Sequence, residues 1–237
     1  MTLLTISNPK TVKGEAAGYL TAILHLSPAN EAGLGTVCPK ATAGCMASCL
    51  NTAGHGGIFK AGETTNAVQN ARKLRTAFYK LNRPQFEEHL ARAIQRHVKR
   101  ARKLGLAPAI RVNGTSDLPT LALAMAARFP EVQFYDYTKL PRAWERRTAN
   151  YHLTFSRSEK NWRGALSDAE QAARHGLNIA VVFSTRRGQP LPSYFLGRLV
   201  IDGDKHDLRF LDPRGVIVGL RAKGRARKDT TGFVVAV

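Results

Sequence analysis

APAIRVNGTSDLPTLALAMAARFPEVQFYDYTK, residues 107–139, holds a strand, a helix and a strand in about 30 residues, the length of one βαβ unit. Its first part, APAIRV, reads as a strand that runs into the polar group Asn113 to Asp117. Asp117 is placed to cap a helix through LPTLALAMAARF, and VQFYDYTK is a second strand ending in Tyr137, Thr138 and Lys139. Two strands joined by a crossover helix pair in parallel with a right-handed connection.

The alternation continues in both directions. Upstream, GYLTAILHLSPA (18–29) reads as a first strand, and from Glu63 to Leu81 the residues Val68, Ala71, Leu74, Phe78 and Leu81 recur at helical spacing. After Pro84 a second helix places Phe86, Leu90, Ile94 and Val98 on one stripe before Gly105 stops it. Downstream, PRAWERRTA reads as helical, YHLTFSRSE as a strand, WRGALSDAEQAARH as a helix and NIAVVFS as a buried parallel strand. RLVIDGD and GVIVGLRA close the series with no long helix between them.

No repeat or low-complexity linker divides the chain, so residues 1–237 are expected to form a single α/β domain. About six strand-helix units are too few for an eight-stranded barrel. The expected fold is a partial (βα)6 TIM-like barrel of parallel strands with outer helices, with an open doubly wound sheet as the alternative. A cysteine loop at 38–57 follows the first strand, and a basic, exposed tail covers 221–228.

Composition narrows the partner. Lys plus Arg number 36 against 17 Asp plus Glu, a net charge of +19, which predicts an acidic partner such as nucleic acid or a nucleotide. Arg92, Arg96, Lys99, Arg100 and Lys103 on the second helix are the candidate phosphate contacts; the plainer reading is a solvated face. No membrane span is visible, and the opening MTLLTISNPKTVKGE lacks the pattern of a secretory signal. A cytoplasmic location is expected.

All three cysteines, Cys38, Cys45 and Cys49, fall in CPKATAGCMASC. In a reducing compartment an odd number at this spacing predicts metal binding rather than disulfides. Three thiolates can hold a 4Fe-4S cluster with one iron open to an external ligand, or a structural zinc completed by His55. Packed, unliganded thiols are the third reading.

Ligands of parallel α/β folds sit at the carboxyl ends of the strands. There this sequence sets Asn113, Ser116 and Asp117, then Tyr137 and Lys139, then Ser156, Ser158 and Glu159, all expected to line one mouth with the thiols. Lys139, Tyr137 and Asp117 are the candidates for catalytic positioning or proton transfer. Asp202, Asp204, Asp207 and Asp212 offer either a divalent cation site or an internal salt-bridge cluster. No nucleophile elbow, Walker loop or His-Glu-x-x-His is present.

CPKATAGCMASCLNTAG, RVNGTSDLP, FYDYTK, YHLTFSRSE and IDGDKHDLRFLDPRGVIVGLRAKG together resemble the phage gene product 88 family, in the same order over most of the chain. That resemblance implies a phage or prophage setting. The layout is also similar to the radical S-adenosylmethionine superfamily, with three cysteines after the first strand of a partial barrel, although its usual spacing is tighter. This second resemblance implies an iron-sulfur cluster on Cys38, Cys45 and Cys49. It implies S-adenosylmethionine as cofactor, contacted from Ser156, Ser158 or Glu159, with Asn113 and Ser116 at the same mouth. The function expected is a radical enzyme acting on nucleic acid or a nucleotide; the second hypothesis is a non-catalytic nucleic-acid-binding protein with a Cys3His zinc knot.

Overall fold

A computed structural model describes residues 1–6, 13–59, 63–146 and 148–237. Its strands are β1 (Leu4–Thr5), β2 (Tyr19–Leu24), β3 (Ala107–Arg111), β4 (Gln133–Thr138), β5 (Tyr151–Ser156), β6 (Ile179–Phe183), β7 (Tyr194–Phe195), β8 (Arg198–Asp202) and β9 (Ile217–Arg221). They form a sheet in the order β1-β2-β3-β4-β5-β6-β9-β8-β7. From β2 to β8 all neighbours are parallel; β1 and β7, one at each edge, pair antiparallel. The fold is therefore mixed α/β with a mostly parallel, open sheet.

The helices are α1 (Ala43–Ala47), α2 (Ala67–Leu81), α3 (Arg83–Lys103), α4 (Pro119–Arg128) and α5 (Asp168–Arg174). The sequence explains α3 well. The Asn82 side chain accepts from the Gln85 amide, Pro84 sits in the first turn, and Gly105, at φ +68°, turns the chain into β3. Its buried stripe, Phe86, Leu90 and Ile94, belongs to one continuous core with Ala22, Leu24, Ile110, Phe134, Leu153, Phe155, Ile179 and Val181 of the sheet. Leu121 and Met125 of α4 and Ala169 and Ala172 of α5 join the same core. Strands β2 to β6 run in chain order, so right-handed crossovers keep their helices on this one face. A doubly wound sheet needs a reversal of strand order, and none occurs over this stretch.

The other face is filled differently. Residues 203–216, between β8 and β9, lie across it, with Phe210 edge-on to Tyr19 and Tyr135 at 5.0 and 5.5 Å between ring centres. Arg111 of β3 meets Asp207 at 3.1 Å and stands 4.6 Å over the ring of Tyr137. Arg209, completely buried, lies 3.2 Å from Asp212. This segment occupies the side that a closed barrel would keep as its interior.

Several expectations change. The sheet does not close, and two expected crossover helices shrink. Among the described residues of PRAWERRTA, which leave out Arg147, the helical element is a 3-10 turn, Ala143–Arg146, and the helix expected from Trp162 begins at Asp168, after Gly164 at φ +88° and with Ser167 as its cap. Asp117 does not cap α4. Leu118 holds that position without a side-chain bond, because the Asp117 carboxylate instead accepts from the Lys139 amide at 2.8 Å. The four aspartates are salt-bridged: Asp202 and Asp204 to Arg221, Asp204 also to Lys223, Asp207 to Arg111 and Asp212 to Arg209.

Candidate functional site

The cysteine loop leaves β2 at the carboxyl edge of the sheet and folds back over it. Val37, fully buried, donates its amide to the Ala29 carbonyl and accepts from the Asp117 amide, both at 2.9 Å. That places Cys38 against the β3 end, where its sulfur accepts from the Ala29 amide at 3.4 Å and lies 3.7 Å from the Thr115 carbonyl.

Thr42 then starts α1 by accepting from the Cys45 amide at 3.2 Å. Glu159, at the β5 end, accepts from the Thr42 hydroxyl at 2.8 Å and from the Gly44 amide at 2.9 Å. Glycine is required at 44, since a Cβ there would stand 2.2 Å from Thr231 Oγ1 and 2.8 Å from Phe233 Cβ. Cys49 begins the 3-10 turn Leu50–Thr52, and Asn51 within that turn bonds both Glu31 and Arg72.

The facing wall comes from the strand ends. Asn113 donates its amide and its side-chain nitrogen to Asp136, at 2.7 and 2.9 Å, and accepts from Ser116 Oγ and the Leu118 amide. Lys139 Nζ donates to Ser156 Oγ at 3.1 Å and lies 5.6 Å from the Phe233 ring centre. Ser158 Oγ accepts from the Lys160 amide. Tyr137 is drawn away from this group, its ring under Arg111 in the ion-pair cluster of the opposite face.

The electrostatics join these parts. Burial pushes the Cys38 thiol up to about 12, and the neighbouring Cys49, Asp117 and Cys45 oppose its ionisation further. Cys49 rises to about 11, again by burial first, with Cys45 and Glu31 adding and Lys139 countering. Burial raises Asp117 as well, and its Oδ1 has no hydrogen-bond partner. The three thiols, Asp117 and Lys139 thus stand in one another's fields. Even so, among the described residues no three or more His, Cys, Asp or Glu side chains are gathered as a metal ligand set. His55, the fourth zinc ligand expected, is exposed on the 3-10 turn Gly54–Gly57.

The family model for gene product 88 matches residues 2–236. The chain belongs to the gene product 88 family. This is a phage gene-product family, and the match covers the strand-end blocks and the cysteine loop alike. No curated protein and no solved structure matches the chain. No helix among the described residues is long and apolar enough to cross a membrane.

In this gene product 88 protein the basic helix residues lie far from the thiols. Helix α3 runs back from the carboxyl edge to the amino edge, where Gly105 starts the return into β3. Arg96, Lys99, Arg100 and Lys103 are exposed near that far end and make no ion pair among the described residues, while Arg92 pairs with Glu88 at 3.4 Å. Sequence reasoning missed three supports of the mouth: Glu159 as the clasp of α1, buried Asp136 beneath Asn113, and the docking of residues 229–235. The first two left signals, namely Thr42 three residues before Cys45 and a lone acid within FYDYT. The third left none.

Proposed function

We propose that this phage protein holds a thiol-bound metal centre in the carboxyl-edge mouth, an iron-sulfur cluster on Cys38, Cys45 and Cys49, and acts there on a substrate rich in negative charge, in the host cytoplasm. The observation that supports this is the placement of the cysteine loop against the ends of β3 and β5, with Cys38 at the Thr115 carbonyl, α1 clasped by Glu159 and Lys139 on Ser156, at the edge where parallel sheets bind their ligands. The residues fit such a centre in kind. Three soft donors suit iron-sulfur or zinc, and a cationic centre offsets the burial that keeps Cys38 and Cys49 protonated, so loading releases protons. Loading also requires the loop to draw its sulfurs together.

S-adenosylmethionine is the external ligand of the narrower version of this reading, and the in-order strands β2 to β6 support it because a partial barrel uses the same order. Cys38, Cys45 and Cys49 would hold a cluster whose open iron would bind that cofactor and supply it with an electron. The chain's own contributions are then separable. Ser116, Ser156 and Asn113 border the mouth, Glu159 and Ser158 fix its loops, Lys139 presents a donor, and Asp117 holds or accepts a proton at its free Oδ1.

Anaerobic reconstitution with iron and sulfide tests the centre. The expected result is a coloured protein that retains iron and loses it in the Cys→Ser variants. Colourless protein carrying one zinc per chain would replace the cluster with a structural site, and calorimetry with S-adenosylmethionine on the loaded protein tests the narrower version.

A further inference from the structure

We propose that the rim of this mouth binds the phosphate backbone of a nucleic acid, using Arg225, Arg227 and Lys228 on one side and Lys160 and Arg163 on the other. The inference rests on the carboxyl edge being the working edge, and it names the substrate class for that site.

The basic tail is part of the cysteine loop's surroundings. Residues Gly224–Lys228 form a 3-10 turn seated directly on the loop: a Cβ on Gly224 would stand 2.9 Å from the Thr52 carbonyl oxygen and 3.3 Å from Ala53. Ala226 is buried and anchors the turn. Beyond it, Asp229 accepts from Ser48 Oγ at 3.4 Å and from the Val234 amide at 2.9 Å, and the Phe233 carbonyl accepts from Arg157 at 2.7 Å. Val235 then bridges to Phe183 of β6. The turn is therefore fixed at both ends.

Its cations are unmatched. Arg221 and Lys223, just before the turn, pair with Asp202 and Asp204, whereas Arg225, Arg227 and Lys228 are exposed and make no ion pair among the described residues. Lys160 and Arg163, just past the β5 end, and Lys40, beside Cys38, are exposed and unpaired in the same sense. The acids around the mouth are turned inward: Glu159 clasps α1, Asp229 holds its own turn, and Asp117 takes the Lys139 amide. Glu31 sets an opposing charge near Arg225. Unmatched cations on three separate segments suit several anionic groups in series rather than one phosphate, and a polynucleotide supplies that series. Arg96, Lys99, Arg100 and Lys103 of α3 are toward the opposite edge and cannot share a short strand with this rim.

Fluorescence anisotropy with a labelled DNA oligonucleotide of about twelve nucleotides, titrated from about 50 to 200 mM salt, tests the assignment. The combined variant Arg225→Ala, Arg227→Ala, Lys228→Ala should weaken binding about tenfold or more and lower the slope of log affinity against log salt by about 2 to 3. Arg225→Lys with Arg227→Lys should keep most of the binding, and Arg96→Ala with Arg100→Ala and Lys103→Ala should leave affinity and slope unchanged. The proposal is overturned if the rim variant keeps the parent slope, if the α3 variant takes the loss instead, or if polyglutamate of equal charge binds as tightly as the oligonucleotide. Reconstituting the parent chain with iron and sulfide and repeating the titration separates the two readings. Rim-dependent DNA binding in a chain that takes up no metal sinks the metal centre alone, and metal uptake without rim-dependent binding sinks this inference alone.

Discussion

The two faces of the sheet are both buried, yet one is held by shape and the other by charge. On the helical face Phe134, Leu90 and Leu121 belong to one continuous apolar core, and the buried carboxylate of Asp136 beside it is held by Asn113 and Tyr151. On the opposite face a small apolar cluster of Ala109, Tyr135 and Leu208 sits beside Arg111, Asp207, Arg209 and Asp212. Apolar contact is non-directional and tolerates many partners, whereas buried charges require particular ones. The difference teaches that the helical face stabilises the fold while the charged face selects which segment lies across it.

Mutations can break this comparison. Phe134→Ala should cost about 3 to 5 kcal/mol, because a large cavity opens in a close-packed core. Denaturant unfolding reads it, and a loss under about 1 kcal/mol would show that this face is loosely packed. Arg209→Ala should cost about 3 kcal/mol or more by leaving the Asp212 carboxylate buried without its partner. Replacing both members, Arg209→Met with Asp212→Leu, should return most of that stability, as apolar side chains of similar volume fill the same space. If the double variant is as unstable as the single, the pair itself stabilises the fold and the contrast between the faces fails.

A subtler test uses pH. Asp136 is fully enclosed beneath Asn113 and Tyr151, and burial raises its pKa to about 7 against the pull of Arg111 and of the Asn113 and Tyr151 hydrogen bonds. The unfolded chain releases this proton near pH 4 and the folded chain near 7, so over that window the folded state binds more protons. Its contribution to stability is therefore greatest below that window and falls as pH rises through it. Asp136→Asn cannot ionise and should flatten the decline; equal slopes for parent and variant from pH 4.5 to 7.5 would remove Asp136 from the account.

The smallest effect concerns the loop itself. Glu159→Ala removes two acceptor bonds to α1 and should loosen it by about 1 kcal/mol. Hydrogen exchange at Gly44 and Cys45 should rise while the sheet amides stay protected. Unchanged exchange would mean that packing of Gly44 against Thr231 and Phe233, rather than the carboxylate, holds α1 in place.

Much of this was readable from local pattern. The stripe Phe86, Leu90, Ile94 and the alternation Tyr151, Leu153, Phe155 mark their elements because a periodic side chain either faces the core or does not. The strand-end blocks were readable for the same reason, since the end of a parallel strand is the start of its loop. PRAWERRTA misled because its charges and single Trp give no second apolar turn, and a 3-10 turn sufficed to bury Trp144. Asp117 misled because a cap and a long-range acceptor look alike in sequence.

The sequence by itself determined the strand-and-helix succession, the parallel pairing and the crowding of thiols and polar residues at one edge, because each follows from periodicity, turn residues and connection length. Only the tertiary structure decided that the sheet stays open, that residues 203–216 cross its second face and that the basic tail seats on the cysteine loop while α3 carries its cations to the far edge. Those choices depend on pairs far apart in the chain, Arg111 with Asp207, Ser48 with Asp229 and Gly224 with Thr52. Nothing in the local pattern of either partner names the other.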